Sequence, residues 1–346
     1  MSKKLAVLGV GAIGSSIGAD LTRAGHDILL IDQWPAHVEA MKAQGLRVTI
    51  SNEEIHTTVK AVHLCELRSL QPQFDIVFLA SKSYDSRWMA ELIKPYLKSD
   101  GVVITTQNSF NDEWVSPIVG NDRDIGCMIE LSAEVFEPGM VRRNTDHAHT
   151  NFVLGELDGR ITARVQEVSQ ILSAAGNVEV STNIWGVKWG KFVLNSMTGG
   201  LQCIAGITTS EGLQNPEYLG LSVKLGSETT RVGLALGYKL EIFGITPEEF
   251  ANSTDESMKR ILQKLASDVG KKARSAARQD LLKGRPNEIA EYLNGLLVKK
   301  GKEAKIPTPY NEAIVFLIKQ MEQGKLEPEL SNLAILEQQA SQTVES

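Results

Sequence analysis

The sequence has few cysteines and no long apolar run. Its three cysteines are odd in number, lie far apart and include no C-x-x-C pair, so neither a disulfide framework nor a cysteine zinc site is expected. No apolar stretch approaches the roughly 20 residues that span a bilayer. The stretch after Lys3 and Lys4 superficially resembles a signal peptide, but its glycines and its use as a first strand argue against that. A cytoplasmic protein with reduced thiols and no membrane association is expected.

An excess of basic charge is also lacking, since 36 basic and 42 acidic residues give a net charge of −6. Nucleic acid is therefore not an expected partner, because phosphate binding needs a dense basic face. The basic cluster at residues 271–278 predicts a solvated helix face. At 346 residues, with 42% hydrophobic and 23% charged content, the chain is long enough for two globular domains with separate cores.

The N-terminal segment carries the first functional pattern. An apolar run at residues 5–8 predicts a buried strand, a helical pattern ends at Gly25, and a second strand over residues 28–31 ends in Asp32. Between the first strand and the helix, the sequence fits G-x-G-x-x-G, whose glycines permit a tight turn, close approach of a pyrophosphate and close helix–strand packing. We therefore predict that a dinucleotide binds at Gly9, Gly11, Ala12, Ile13 and Gly14.

Asp32 indicates which dinucleotide is preferred. It lies 18 residues after Gly14, near the position that accepts hydrogen bonds from a ribose 2′-hydroxyl. A carboxylate repels a 2′-phosphate, and no arginine directly follows it. NAD(H) is therefore favoured over NADP(H), although Lys42 could still swing toward a phosphate at this position.

Strands and helices alternate at close spacing through the first half of the chain. This predicts an α/β fold with a Rossmann-type doubly wound parallel sheet, which strands between residues 125 and 156 are expected to complete. Ligands of such sheets bind beyond the carboxyl ends of the strands. Lys82, Gln107 and Asn108 lie at such ends and are candidates for the site. His147 and His149 have no third metal ligand nearby, so a loop position is favoured over a metal site.

From Asn183 onward the pattern is nearly all helical, so an all-helical C-terminal domain is expected. We predict a dinucleotide-binding domain over residues 1–182, a helical substrate domain over 183–330 and a polar tail over 331–346, frayed at its end. The predicted helices cover residues 185–197, 218–236, 247–251, 256–282, 286–301 and 309–321.

The first of these helices contains a candidate proton donor. Lys191 and Asn195 are four residues apart and share a face, and Lys188 either borders that face or points to water. Aromatic and apolar neighbours can partly desolvate a lysine, which lowers its pKa from about 10.4 and makes it a usable proton donor near neutrality. The ordinary alternative is a surface lysine.

Several stretches, in order along nearly the whole chain, resemble the ketopantoate reductase (2-dehydropantoate 2-reductase) family. Besides the glycine fingerprint they are Thr106-Gln107-Asn108, Glu137-Pro138-Gly139-Met140-Val141, Trp189-Gly190-Lys191-Phe192-Val193-Leu194-Asn195, Asn287-Glu288-Ile289, Tyr292-Leu293-Asn294-Gly295, and Ile306-Pro307-Thr308-Pro309 with Asn311.

The resemblance implies roles for five residues. Lys191 is the general acid that protonates the carbonyl oxygen of the substrate, and Glu288 pairs with it and keeps it charged. Asn195 binds polar groups of the substrate. Asn108 lies by the nicotinamide and the substrate, and Lys82 lies near the cofactor. An ammonium group near a developing alkoxide stabilises its charge and then neutralises it, so these roles are chemically consistent.

The chain also departs from the family pattern. Gly199 stands where a second asparagine is frequent, and Ala276 stands where a substrate-binding serine is typical. Ser275 is the adjacent candidate for that contact, about 100° around a helix. Better-known members prefer NADPH and carry a basic residue near the position of Asp32. Loss of a polar contact can cost about 1–3 kcal/mol, which is enough to change the preferred substrate.

The expected activity is therefore NAD(P)H-dependent interconversion of a small-molecule 2-oxo acid, ketopantoate or a similar branched or bulky acid, and its 2-hydroxy acid. An NAD-dependent D-2-hydroxyacid dehydrogenase of the same family is the first alternative. A polyol-phosphate dehydrogenase would need a basic phosphate pocket, which the sequence does not show. A catalytically inactive dinucleotide-binding sensor is the alternative from another class. The long helices leave a homodimer open.

Overall fold

The computed structural model describes residues 3–51, 53–242, 246, 247, 251 and 276–345. The chain divides into two compact units, Met1–Ile184 and Trp185–Ser346, close to the division expected at residue 182. Among the described residues, none of the helices has the length and apolar content that a bilayer crossing needs.

The first unit is built from strands and helices that alternate along the chain. Its strands are β1 (Lys4–Leu8), β2 (Asp27–Asp32), β3 (Leu46–Ile50), β4 (Glu53–Thr57), β5 (Lys60–His63), β6 (Phe74–Leu79), β7 (Leu97–Thr105), β8 (Asp124–Glu130), β9 (Ala133–Glu137), β10 (Met140–Arg143), β11 (Asn151–Glu156) and β12 (Asn177–Val180). Its helices are α1 (Ala12–Arg23), α2 (Pro35–Gln44), α3 (Leu67–Leu70), α4 (Ser86–Ile93), α5 (Asp112–Val119) and α6 (Ala163–Leu172).

Eight of these strands form the main sheet, in the order β12-β11-β8-β7-β6-β1-β2-β5. All neighbours are parallel except β8 and β11. Alternate residues of β1 enter two different cores: Leu5 and Val7 pack on the side of α1, whereas Ala6 and Leu8 pack on the side of α4. A strand buried on both faces needs a continuous apolar run, and the predicted doubly wound α/β fold is confirmed.

A second, four-stranded sheet has the order β4-β3-β10-β9. The prediction that every strand between residues 125 and 156 completes the main sheet is therefore wrong for β9 and β10. They form a hairpin, and β10 pairs in parallel with β3, with which it shares no local sequence signal. Side-chain alternation indicates which face of a strand is buried, but it does not indicate the neighbouring strand.

The second unit is helical throughout its described part. Its helices are α7 (Ile184–Ala205), α8 (Thr209–Gly212), α9 (Pro216–Ala235), α10 (Ala276–Leu282), α11 (Glu288–Glu291), α12 (Asn294–Ala304), α13 (Pro309–Glu322) and α14 (Asn332–Glu345). The single helix predicted over residues 286–301 is two helices. Of the helix predicted over residues 247–251, only the two end residues are described. Most of the helix predicted over 256–282 lies outside the described residues.

The segment expected as a polar tail forms helix α14 instead. Its apolar residues Leu333, Leu336 and Ala340 recur at helical spacing and are buried. The Asn332 side chain donates to the carbonyl oxygen of Ile204 at 2.8 Å, which ties the start of α14 to the end of α7. A sparse apolar stripe within a polar sequence therefore suffices to place this helix against the rest of the unit.

A buried ion pair joins distant segments of the first unit. The guanidinium of Arg143 on β10 is buried, with Nη1 at 2.5 Å from Asp20 Oδ2 on α1. Its other N–H groups donate to Thr150 Oγ1 at 2.7 Å and to the carbonyl oxygens of Thr145 and Ala175, each at 2.9 Å. Burial of both charges is tolerated because the partners satisfy the hydrogen-bonding capacity of the guanidinium.

We predict that Arg143→Met lowers the free energy of unfolding by about 3–5 kcal/mol, because it leaves the Asp20 carboxylate buried without its main partner. Chemical denaturation followed by circular dichroism measures the loss. Arg160→Met is the matched control, since Arg160 pairs with Asp158 in an exposed ion pair that contributes little to stability. Equal losses in the two variants would contradict this role of Arg143.

Candidate nucleotide and catalytic site

The glycine turn after β1 is tightly constrained at two of its three glycines. Gly9 has φ +90°, and a Cβ there would lie 2.6 Å from the backbone nitrogen of Ser81. A Cβ at Gly14 would lie 2.2 Å from the carbonyl oxygen of Gly9. At Gly11, in contrast, a Cβ would meet no described residue within 4 Å. Gly9 and Gly14 are therefore required by the fold, whereas the space above Gly11 is open to a ligand.

The N-terminus of α1 faces this turn. Gly11 is its N-cap residue and contributes no side-chain hydrogen bond, and Ala12 and Ile13, both half-buried, form the first turn. The first N–H groups of a helix have no intrahelical acceptor and carry a partial positive charge. The open space above Gly11 and the first N–H groups of α1 together form a cradle, and this cradle fits the pyrophosphate of a dinucleotide.

Asp32 has a structural contact that the sequence did not indicate. It is buried at the end of β2, where Oδ2 accepts the backbone N–H of Val10 at 2.5 Å and Oδ1 accepts that of Trp34 at 2.7 Å. The carboxylate thus fixes the glycine turn to the end of the neighbouring strand. Each carboxylate oxygen has a second lone pair, so a ribose hydroxyl can still donate to it.

The carboxyl ends of β6 and β7 adjoin the turn. The backbone N–H of Ala80 donates to the carbonyl oxygen of Leu8 at 2.8 Å, and Gln107 Nε2 donates to Ser81 Oγ at 3.1 Å. Gln107 Oε1 is buried, and no hydrogen-bond partner for it lies among the described residues. Lys82 is half-buried beyond β6, and Asn108 is exposed beyond β7.

Because β1, β6 and β7 are neighbours in the sheet, the structure brings the predicted cofactor residues of the first unit to one edge of that sheet.

A charged cluster lies beside Asp32. His63 is its register partner on β5, and His63 Nε2 is 3.1 Å from Glu39 Oε1. Lys42 Nζ is 2.8 Å from Glu66 Oε2 and 3.3 Å from Glu39 Oε1. Lys42 donates hydrogen bonds to Glu66 and, more weakly, to Glu39, and these raise the pKa of Lys42. The lysine considered for a 2′-phosphate is therefore already held by two carboxylates.

In the second unit, one side of α7 is fixed by aromatic and glycine packing. Trp189 is fully buried, donates from Nε1 to the carbonyl oxygen of Thr229 at 3.2 Å and stacks on Tyr238 at 4.5 Å between ring centroids. A Cβ at Gly233 on α9 would lie 2.3 Å from that Nε1. A Cβ at Gly190 would lie 2.0 Å from the carbonyl oxygen of Glu241. The rotation of α7 is therefore set by contacts that admit no larger side chain.

Lys191 and Asn195 are both half-buried, one helical turn apart on the same face of α7. Lys188 is 3% exposed, so of the two alternatives for this residue the one in which it points to water is wrong. The helix packs on almost all sides, and the long apolar stem of a lysine can be covered by its neighbours.

Glu288 begins α11 and is buried at 8% exposure, and the side chain of Asn287 caps this helix by accepting the N–H of Ile289 at 3.0 Å. Ile289 Cδ1 lies 3.2 Å from the position of a Cβ at Gly199. Gly199 is four residues beyond Asn195, so the start of α11 packs on the helix face that carries the candidate lysine. Ser275 lies outside the described residues.

We predict that Gly11→Ala raises the Kd for NADH by tenfold or more while the Tm stays within about 1 °C. The added methyl group meets no protein atom but occupies the open cradle. Quenching of tryptophan fluorescence measures binding. Gly220→Ala is the control: it lies in the helical unit, and a Cβ there meets no described residue within 4 Å, so it should leave the Kd unchanged. An unchanged Kd for Gly11→Ala would place the nucleotide elsewhere.

Comparison with known proteins agrees with this geometry. Residues 5–159 match the family model of ketopantoate reductase PanE/ApbA, and residues 183–322 match the model of its C-terminal part. A 2-dehydropantoate 2-reductase of Archaeoglobus fulgidus is 25% identical over 93% of this chain and 99% of its own length. That of Aquifex aeolicus is 28% identical over 93% and 98%, respectively.

Solved structures give the same result. A PanE/ApbA family ketopantoate reductase from Ralstonia eutropha is 26% identical, with a TM-score of 0.77 over 93% of this chain and 99% of that one. A D-mandelate dehydrogenase in complex with NADH and anilino(oxo)acetate has a TM-score of 0.82 over the same shares at 24% identity, which shows a common fold. The chain belongs to the ketopantoate reductase family of pyridine-nucleotide-dependent oxidoreductases.

Proposed function

We propose that this protein reduces a 2-oxo acid to the 2-hydroxy acid, with NADH preferred over NADPH. The observation that carries the proposal is the face of α7, where Lys191 and Asn195 lie side by side while Trp189 and Gly190 fix the opposite side. The proposed substrate is ketopantoate or a similarly branched or bulky 2-oxo acid, as the names of the curated relatives suggest.

Different residues bind the cofactor, donate the proton and bind the substrate. The glycine turn, Lys82 and Asn108 hold the cofactor, which supplies the hydride when it is bound. Lys191 donates its proton to the carbonyl oxygen of the substrate, and its positive charge stabilises the negative charge that develops there. Glu288 orients the ammonium group and keeps it protonated until transfer. The amide of Asn195 donates hydrogen bonds to the polar groups of the substrate.

The charge around Asp32 supports the preference for NADH. A 2′-phosphate at this end of the sheet would approach the carboxylates of Asp32, Glu39 and Glu66, and Lys42 is engaged by the last two. Like charges at such distances are repulsive, whereas the 2′-hydroxyl of NADH can donate to a carboxylate. The D-mandelate dehydrogenase of the same fold is likewise described with NADH.

The second candidate is an NAD-dependent D-2-hydroxyacid dehydrogenase of the same family, and the contact at Gly199 favours it. Where a second asparagine is frequent in the family, this chain has no side chain, and the apolar end of Ile289 covers the position. Replacement of a polar contact by an apolar one suits an acid with an apolar substituent. The inactive sensor remains the alternative from another class, and the joint presence of Lys191, Asn195 and Glu288 argues against it.

The experiment that separates these functions is oxidation of NADH and NADPH, followed by reduced-nicotinamide absorbance, with ketopantoate and a panel of branched and aromatic 2-oxo acids. The fastest turnover with ketopantoate would support the reductase. Poor turnover of ketopantoate with a good rate on another acid would support the dehydrogenase. Binding of NADH without turnover of any acid would contradict both and support the sensor.

We predict that Lys191→Met lowers kcat by about 10²–10⁴-fold, the usual contribution of a general acid, and leaves the Kd for NADH unchanged. Steady-state kinetics and fluorescence titration measure the two effects separately. Lys319→Met is the control, because Lys319 is exposed on α13. A kcat near that of the wild type would rule out Lys191 as the proton donor.

We predict that the double variant Glu39→Gln/Glu66→Gln raises the ratio of kcat/KM for NADPH to that for NADH by about three- to tenfold, since charges at exposed positions have modest effects. The substitution removes two negative charges and releases Lys42 toward the 2′-phosphate. Glu91→Gln, at an exposed position on α4, is the control. An unchanged ratio would show that this cluster does not select the cofactor.

A further inference from the structure

A chain of buried hydrogen bonds runs from the second sheet to the glycine turn. His37, fully buried in the first turn of α2, has Nδ1 at 2.9 Å from the backbone nitrogen of Gly139 and Nε2 at 3.2 Å from Ser15 Oγ. The amide of Gly139 can only donate, so Nδ1 carries no proton and the proton resides on Nε2. His37 therefore donates to Ser15, and Ser15 Oγ in turn donates to the carbonyl oxygen of Val10 at 3.0 Å.

Val10 is consequently held on both sides. Its carbonyl oxygen accepts from Ser15, and its N–H donates to Asp32 Oδ2. In a trans peptide the C=O and the following N–H point in opposite directions, so the contact with Ser15 directs the Gly11 N–H away from that side chain. The orientation of this one peptide group decides where the first N–H of the cradle points.

We propose that Ser15 and His37 are positioning residues, which hold the Val10–Gly11 peptide in the orientation that binds the pyrophosphate of the dinucleotide. The proposal rests on the proposed binding of the cofactor by the glycine turn. It gives the hairpin β9–β10 a function, because Gly139, at the turn of that hairpin with φ +75°, supplies the N–H that fixes the imidazole.

A stacking contact on the face of the ring also holds the imidazole in place. Trp34 stacks on His37 with 5.2 Å between ring centroids and 15° between planes, and the Trp34 N–H donates to Asp32 Oδ1. The contacts thus form a closed ring through Asp32, Val10, Ser15, His37 and Trp34. Displacement of any one of them is transmitted to the turn.

The hydrogen-bond arrangement requires a neutral imidazole. Burial lowers the pKa of His37, against the opposing effect of the Asp32 carboxylate, so the neutral form is favoured at neutral pH. A second proton would place two donors, Nδ1–H and the Gly139 N–H, against each other. The pKa of His37 is lower in the folded state than in the unfolded state. The stabilisation by the neutral imidazole is therefore complete above the ordinary pKa of about 6.5, and it is lost as the pH falls through the lower pKa of the folded state.

We predict that Ser15→Ala raises the Kd for NADH about five- to tenfold, the effect of one lost buried hydrogen bond. Ser16→Ala is the matched control, since Ser16 is adjacent and equally buried but donates to Ala12 within the helix at 2.8 Å. Its Kd should equal that of the wild type. Fluorescence titration measures binding without turnover. Equal Kd values for the two variants would overturn the proposal.

The role of His37 is tested by the pH dependence of the Kd for NADH. In His37→Gln the amide oxygen and nitrogen replace Nδ1 and Nε2 as acceptor and donor but do not titrate. The Kd should therefore match the wild type at about pH 8 and lack the rise that the wild type shows as the pH falls below about 6.5. His37→Leu should raise the Kd at every pH. If His37→Gln shows the same acid-side rise as the wild type, His37 is not the responsible group.

The Gly11→Ala and Ser15→Ala variants test the nucleotide site and the positioning role separately. If Gly11→Ala raises the Kd and Ser15→Ala does not, the positioning role is wrong and the nucleotide site stands. If neither variant changes the Kd, the proposed nucleotide site itself is wrong.

Discussion

The Asp32 carboxylate, which accepts two backbone N–H groups at the end of β2, is the contact on which the nucleotide site depends. It joins the glycine turn to the neighbouring strand, and the turn in turn needs Gly9 and Gly14 because backbone atoms occupy the space of their side chains. Asp32, which was expected only to bind the ribose, therefore also stabilises the glycine turn. Substitution of Asp32 changes the geometry of the turn and the local charge together, so the exposed carboxylates of Glu39 and Glu66 report on cofactor preference more cleanly.

The parts of the fold that follow local rules were predictable from the sequence. The apolar run of β1, the glycine turn and the helical period of α1 each reflect an interaction between near neighbours, and each was found as expected. The second sheet was not, because β3 and β10 lie far apart in the sequence and strand pairing carries no local signal. Helix α14 was missed for a different reason: its apolar stripe is sparse, and its burial depends on contacts such as that of Asn332 with Ile204.

The candidate catalytic face was predictable in part. The four-residue spacing placed Lys191 and Asn195 together, but apolar residues surround α7, so composition could not show which side is fixed by packing. The structure shows that Trp189 and Gly190 lie on the side that packing fixes. The four-residue spacing of Gly186 and Gly190 was the available sequence signal. The Glu241 N–H donates to the carbonyl oxygen of Gly186, and the carbonyl oxygen of Glu241 lies against Gly190. The same close packing explains why Lys188 is buried.

Helix α1 offers no basic side chain at its N-terminal end, and this gives the buried hydrogen bonds at the glycine turn their importance. Within α1 the basic residue is Arg23, at the end away from the glycine turn, so a pyrophosphate at Gly11 would be bound by backbone N–H groups. A flexible lysine can follow a displaced phosphate, whereas a backbone N–H cannot. Binding by such groups depends on the orientation of individual peptides, and a neutral, fully hydrogen-bonded side chain such as His37 can fix that orientation without placing a charge beside the ligand.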